Sequence, residues 1–232
     1  TQATPGYAAA VTEWIIGVMV DLARGTSRYA AAYHLGRSPA PVMGRELHGA
    51  TLGIIGHGEI GRRLARLGLA FGMQVLVHTP EAVDESDGRR AVPMAQLLAT
   101  SDFVACLAPA NAQTENLMNA AAFATMQRGA MFINASRGEL VDEMALLQAL
   151  DSGHLGGAAL DVGRAPDQMP SPALAQHPLV IAAPHVGGLT PPAIEHQALE
   201  TVAQLASLLR GELPRGAVNA ENATRWRQWR AR

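Results

Sequence analysis

The chain has 232 residues, 48% hydrophobic and 16% charged, with a formal net charge of -2. That is long enough to bury a large core, and the near-neutral balance gives no electrostatic footprint for nucleic acid or an anionic membrane surface. All 18 cationic residues are arginine and Cys106 is the sole cysteine, which excludes P-loop lysines, lysine Schiff bases, an intramolecular disulfide and a multi-cysteine zinc site.

The opening "TQATPG" has neither the charged nor the apolar region of a secretory signal. The run "WIIGVMV" is bounded by Glu13 and Asp21 and is too short to span a bilayer. A cytoplasmic protein without a membrane partner is expected. Residues 8–23 form a helical pattern. Short, nearly unbroken apolar runs then follow at 51–55, 74–78, 103–108, 130–135, 157–162 and 179–183, as suits strands covered on both faces. Helical patterns at 60–71, 94–99, 120–126 and 142–150 alternate with them. This order predicts an α/β fold with a doubly wound parallel sheet, Rossmann-type.

A last long helix is expected over 192–210, begun by Thr190 and two prolines and ended by Gly211. Its apolar positions Ile194, Ala198, Leu205, Leu208 and Leu209 are too regular for a solvated helix and invite association. The closing "ATRWRQWRAR" interleaves Arg225, Arg227, Arg230 and Arg232 with Trp226 and Trp229. Its tryptophans are expected to cover apolar surface rather than stack on nucleic acid.

"GIIGHGEIG" places Gly56, Gly58 and Gly61 in the spacing G-x-G-x-x-G between an apolar strand and an amphipathic helix. Gly56 permits the tight turn, Gly58 lets backbone approach a pyrophosphate, and Gly61 lets helix and strand pack closely. The helix N-terminus adds free N–H groups and a positive dipole end. A dinucleotide cofactor follows. The next strand should end in an acid for the adenosine ribose, but that position reads His78, Thr79, Pro80. Thr79 can bond a hydroxyl yet would not repel a 2′-phosphate. Arg89 or Arg90 would favour NADP and Glu81 opposes it, so the expected cofactor is NAD, with NADP possible.

Several segments together resemble the D-isomer-specific 2-hydroxyacid dehydrogenase family: "ATPGYAAAVTEWIIGVMVDLAR", "GRELHGATLGIIGHGEIG", "MQRGAMFINASRGELVDEMALLQAL", "GHLGGAALDV" and "HPLVIAAPHVGGLT". The resemblance implies hydride transfer between a nicotinamide and C2 of a small 2-hydroxy or 2-oxo acid. Arg137 would bind the substrate carboxylate with its fork of donors, and His185 would exchange the proton on the substrate oxygen. Asp161 and Gly188 would lie near the nicotinamide with Ala135 and Ser136. Ala108, Pro109 and Thr114 would line the cofactor's path, and Glu59 and Ile60 would sit over the pyrophosphate. The implied division is a dinucleotide-binding domain over 5–190 and a helical C-terminal segment over 191–232 belonging to an incomplete substrate domain. In the family, a large segment building most of that domain precedes the point matching the start of this sequence. A homodimer is implied through residues 8–23, with Trp14 and Met19 as apolar candidates.

The sequence departs from the family pattern D-V-F-x-x-E-P, whose acid bonds the catalytic histidine. Counting from Asp161, Gly163 stands at the phenylalanine, Pro166 at the glutamate and Asp167 at the proline. Asp167 could replace the acid if the loop slips by one residue, a shift that Gly163 would ease. The alternative is a catalytically impaired NAD(H)-binding sensor or scaffold.

Overall fold

The computed structural model describes residues 6–217 and 220. Strands β1 (Thr51–Ile55), β2 (Gln74–His78), β3 (Arg90–Ala91), β4 (Phe103–Cys106), β5 (Met131–Asn134), β6 (Gly157–Leu160) and β7 (Val180–Ala182) form one sheet. Their order is β3-β2-β1-β4-β5-β6-β7 and every pairing is parallel. The order reverses between β1 and β4, the switch point where doubly wound sheets open a crevice for ligands.

The apolar runs form strands because both faces are covered. On one face Leu52, Ile54, Val75, Val77, Phe103 and Ile133 pack with Val11, Ile15, Val18 and Met19 of α1 (Ala8–Arg24) and with Leu64 and Ala65 of α3 (Glu59–Ala70). On the other, Ile55, Leu76, Val104, Cys106 and Phe132 pack with α4 (Met94–Thr100), α5 (Ala120–Thr125) and α6 (Glu143–Asp151). Alternate residues of each strand serve opposite faces, as the pleat requires. Phe123 and Phe132 meet edge to face at 5.3 Å.

Three elements escape the hydrophobic pattern. The two residues of β3 are exposed at the sheet edge, α2 (Thr26–His34) buries none of its residues, and α7 (Pro172–Ala175) is a single turn. The expectation for the first helix is corrected in part. Met19 is fully buried and is not available to a second subunit, while Trp14 packs against the core and stays partly exposed. The last helix, α8 (Pro191–Leu209), does present an open apolar face, with Ile194, Leu199, Val202, Leu205 and Leu209 all more than half exposed. The arginine and tryptophan tail lies outside the described residues. No helix among the described residues is long and apolar enough to cross a membrane.

Candidate active site

The three glycines after β1 do different work. A Cβ on Gly56 (φ +97°) would stand 2.7 Å from the backbone of Leu107 and Ala108, and one on Gly61 would stand 2.4 Å from the Gly56 carbonyl oxygen. These two therefore allow the loop after β1 to touch the loop after β4 and helix α3 to close on the turn. A Cβ on Gly58 would meet nothing within 4 Å. Gly58 is the N-cap of α3 and offers no capping side chain, so no side chain caps the first N–H groups of the helix. That combination fits a pyrophosphate. Ile60 is half-buried against the core beside it. The Glu59 side chain turns to Arg62 (3.0 Å) and Arg63 (3.1 Å) on the helix surface. Hydrogen bonding to Arg62, then to Arg63, holds its carboxyl below the usual range.

At the adenosine end, Thr79 is half-buried just beyond β2, and its hydroxyl lies 3.5 Å from the Glu81 N–H. Arg89 reaches toward the glycine loop, but its guanidinium is already committed. Nε donates to Asp87 Oδ1 (2.6 Å), Nη2 pairs with Asp87 Oδ2, and Nη1 lies 2.9 Å from His57 Nε2. The side chain is only 12% exposed. Because arginine only donates, Nε2 of His57 accepts and the neutral ring carries its proton on Nδ1. A 2′-phosphate would have to pull Arg89 from both partners, while Arg90 lies exposed on the edge strand. The arrangement suits NAD, whose ribose brings only hydroxyls.

The loops after β4 and β5 are tied together. Ser136 Oγ donates to the carbonyl of buried Ala108 at 2.7 Å. Thr114 Oγ1 donates to Pro109 O at 2.7 Å and accepts from Asn111 N at 3.0 Å, so its hydroxyl folds this loop. Asn134, buried at the end of β5, accepts from Ser136 N (3.1 Å) and donates to Arg137 O (2.9 Å) through its side-chain amide. This amide builds the turn on which half-buried Ala135 and exposed Arg137 stand. The role of Asn134 was missed in the sequence, although a polar residue closing the apolar run "MFIN" was its signal. Arg137 Nη1 donates to Ser136 O at 2.7 Å, and its other nitrogens make no hydrogen bond among the described residues.

The ends of β6 and β7 complete the edge. Asp161 is 2% exposed, and its two carboxylate oxygens accept the N–H groups of Val186 and Gly187, each at 2.8 Å. A Cβ on Gly187 would stand 2.7 Å from Asp161 Oδ2. The contact thus grips the backbone immediately after His185, whose φ is +56°. Gly188 packs on Tyr7 and Val11 at the start of α1. His185 itself is exposed and makes no hydrogen bond or ion pair with the described residues.

The proposed replacement acid is corrected here. Asp167 is exposed, and its Oδ1 accepts from Met169 N at 3.0 Å instead of meeting His185. Nor can Gly163 ease a slip. Its N–H donates to Gln168 O at 2.8 Å, and a Cβ there would stand 2.2 Å from Met169 O. The loop closes tightly on itself, with Pro166 and Asp167 at its exposed tip.

A parallel sheet with a glycine cradle at its switch point, and an arginine and a histidine on two further strand ends, defines a dinucleotide-binding α/β protein. The sequence model described as "D-isomer specific 2-hydroxyacid dehydrogenase, NAD binding domain" matches residues 16–187. The chain belongs to this family, and the matched segment is its NAD-binding domain. The chain is similar to D-3-phosphoglycerate dehydrogenase 3 of Arabidopsis thaliana, 35% identical over 217 residues, which cover 91% of this chain and 37% of that protein. The Bacillus subtilis (strain 168) D-3-phosphoglycerate dehydrogenase is 36% identical over 186 residues, 79% of this chain and 35% of that one. Among solved structures, a glyoxylate reductase from Paecilomyes thermophila superimposes with a TM-score of 0.85 at 31% identity, covering 91% of this chain and 65% of that chain. A D-lactate dehydrogenase from Aquifex aeolicus, complexed with NAD and lactic acid, gives 0.82 at 28% identity over 90% of this chain and 68% of that chain. The chain spans 34–42% of the length of the curated relatives it matches.

Proposed function

We propose that the protein is an NAD-dependent D-2-hydroxyacid dehydrogenase, or 2-oxoacid reductase, acting on a small acid. The observation that carries this reading is the common placement of Arg137 and His185 at the C-terminal edge of the sheet. Arg137 lies three residues beyond Asn134 of β5 and His185 three beyond Ala182 of β7, with β6 between them. Bound NAD supplies or accepts the hydride. The Arg137 guanidinium binds the substrate carboxylate in its fork and draws electron density from the adjoining carbonyl. An imidazole nitrogen of His185 gives a proton to the substrate oxygen during reduction and takes it back during oxidation. Asp161 holds the backbone just after His185, at Val186 and Gly187, and Asn134 holds the turn of Arg137. The residues of the glycine cradle, with Thr79, Ala108, Pro109, Thr114, Ala135, Ser136 and Gly188, flank the cofactor.

Residues 5–190 act as the dinucleotide-binding domain and 191–232 as part of the substrate domain. The open face of α8 supports association with further protein of that domain, and a cytoplasmic homodimer is the assembly we propose. The test is NADH oxidation by the full-length protein with glyoxylate, hydroxypyruvate, pyruvate and bulkier 2-oxo acids. Turnover lost in His185→Ala, and a raised KM in Arg137→Lys, are expected. Binding of NADH without turnover on any of these acids would overturn the reading.

One observation favours a second reading, an NAD(H)-binding sensor or scaffold with an impaired active site. Among the described residues, His185 has no carboxylate to orient its ring or stabilise its cation. Turnover at any useful rate decides against this reading.

A further inference from the structure

Arg164 follows Gly163 in the loop after β6 and takes part in nothing assigned above. Its contacts nevertheless span the edge of the sheet. Nε donates to Val141 O at 2.9 Å, and Nη2 donates to Glu139 O at 2.8 Å and to the side-chain oxygen of Asn116. Nη1 lies 3.4 Å from Glu115 Oε1, and the backbone N–H donates to Glu143 Oε1 at 3.2 Å. One side chain thus joins the loop after β4, the turn after β5 and the loop after β6. The accepting segments are already stitched together, since Asn116 N donates to Glu139 O at 2.9 Å and Met118 N to Leu140 O at 2.9 Å. Asn116 has φ +50°, a left-handed conformation that asparagine tolerates and that aims its backbone at this cluster.

The carbonyls that Arg164 grips belong to the 3-10 turn Gly138–Leu140 and the residue after it, and Arg137 is the N-cap of that turn. Gly138 lies against Gly163, where a Cβ on Gly138 would stand 2.0 Å from the Gly163 carbonyl carbon. Backbone contact and guanidinium fork therefore fix the same turn from one side, while Asn134 fixes its start from the other. A charged fork donating to several acceptors is a strong tether, and none of its partners is a reacting group.

We propose that Arg164 is a positioning residue, which sets the direction of Arg137 by clamping the turn behind it to the loops after β4 and β6. This rests on the reading of Arg137 as the carboxylate-binding residue. The substrate class that feels Arg164 is then any 2-oxo acid, whatever its variable end. The cofactor should feel it far less, because the glycine cradle lies on the other side of β4 and only the loops after β4 and β5 serve both.

The test uses the full-length protein, Arg164→Met and Arg164→Lys, with NADH binding, oxamate binding to the NADH complex and steady-state kinetics on glyoxylate. For Arg164→Met, oxamate Kd and glyoxylate KM should rise ~10- to 100-fold, as expected of a misplaced positioning group. NADH Kd should stay within about twofold, the range of a change remote from the glycine cradle, while kcat falls as well, because a misdirected Arg137 polarises the carbonyl less. Arg164→Lys, with one point donor instead of a fork, should recover only part of the loss. If Arg164→Met binds oxamate like the wild type, or loses NADH and oxamate affinity together, the proposal is overturned. Should Arg164→Met fail to fold, the same loss without NADH weakening must appear in Asn116→Ala, and its absence overturns the proposal equally. A wild-type NADH complex that ignores oxamate and turns over none of the 2-oxo acids removes the dehydrogenase reading and this proposal with it.

Discussion

The carboxylate of Asp161 accepts the N–H of Gly187 at 2.8 Å, with its other oxygen on Val186, so it secures His185 through the backbone without touching the ring. The family pattern supplies an acid to the imidazole itself, and here the acid works one step back. Asp161→Ala leaves two N–H groups without their acceptor in a buried setting. A loss of about 2–6 kcal/mol is expected in a denaturant titration, from ~1–3 kcal/mol for each unsatisfied group. Turnover should fall with it, because His185 then leaves its left-handed conformation. A change below about 1 kcal/mol would mean the carboxylate is not the clamp.

Gly58 and Gly61 separate folding from binding. Gly58→Ala adds a methyl to open space, and it should cost no more than ~1 kcal/mol, the size of a weakened N-cap. On the proposed reading of the cradle the same methyl would stand in the way of the pyrophosphate, so NADH fluorescence titration should show a Kd raised at least ~10-fold, or ~1.4 kcal/mol. Gly61→Ala drives a Cβ to 2.4 Å from Gly56 O and should destabilise the fold itself.

His57 makes stability depend on pH. Burial, then the charges of Arg89 and Arg62, hold its imidazole below the ordinary value, while Asp87 and Glu81 pull the other way. The unfolded chain therefore takes up a proton near pH ~6.5 more readily than the native one. The contribution of neutral His57 is complete above that pH and is lost progressively as pH falls below it. Between about pH 7.5 and 5.5 the urea midpoint of the wild type should drop more steeply than that of His57→Gln, which keeps an acceptor for Arg89 but does not titrate. Parallel curves would remove His57 from the account.

Cys106 should be inert. Complete burial pushes its thiol up to about 12, so almost no thiolate forms at mild alkaline pH. An aromatic disulfide reagent should titrate no thiol in the native protein and one after denaturation. Reaction of the native protein would show that the core on that face of the sheet opens locally.

The legible parts of the sequence were those whose cause is local. Runs such as "TLGII" and "QVLVH" announced strands because residues pointing to either face are buried, and Gly56, Gly58 and Gly61 announced the cradle by their spacing between an apolar strand and an amphipathic helix. Arg90 and Ala91 could not be read as a strand, since an exposed edge pair has no apolar signature. Asp161 looked like a nicotinamide contact by resemblance. Its bonds to Val186 and Gly187 depend on β6 lying beside β7, a relation no local pattern contains. The reach of Arg164 to Asn116 depends in the same way on strand order. The expectation that Gly163 loosens its loop failed because absence of a side chain here serves close contact rather than freedom.

That contact bears on how the protein could have changed and could change again. A side chain at 163 would run into the Met169 carbonyl and one at 138 into the Gly163 backbone, so neither position tolerates substitution while the loop keeps its present path. An aromatic residue is not accommodated at position 163 as a single change, because its Cβ would stand 2.2 Å from the Met169 carbonyl oxygen, and position 166 lies on the exposed tip of the loop. A histidine–acid pair at this edge therefore calls for a different loop path and not a single substitution, and with the present path the protein holds its histidine through the backbone that follows it.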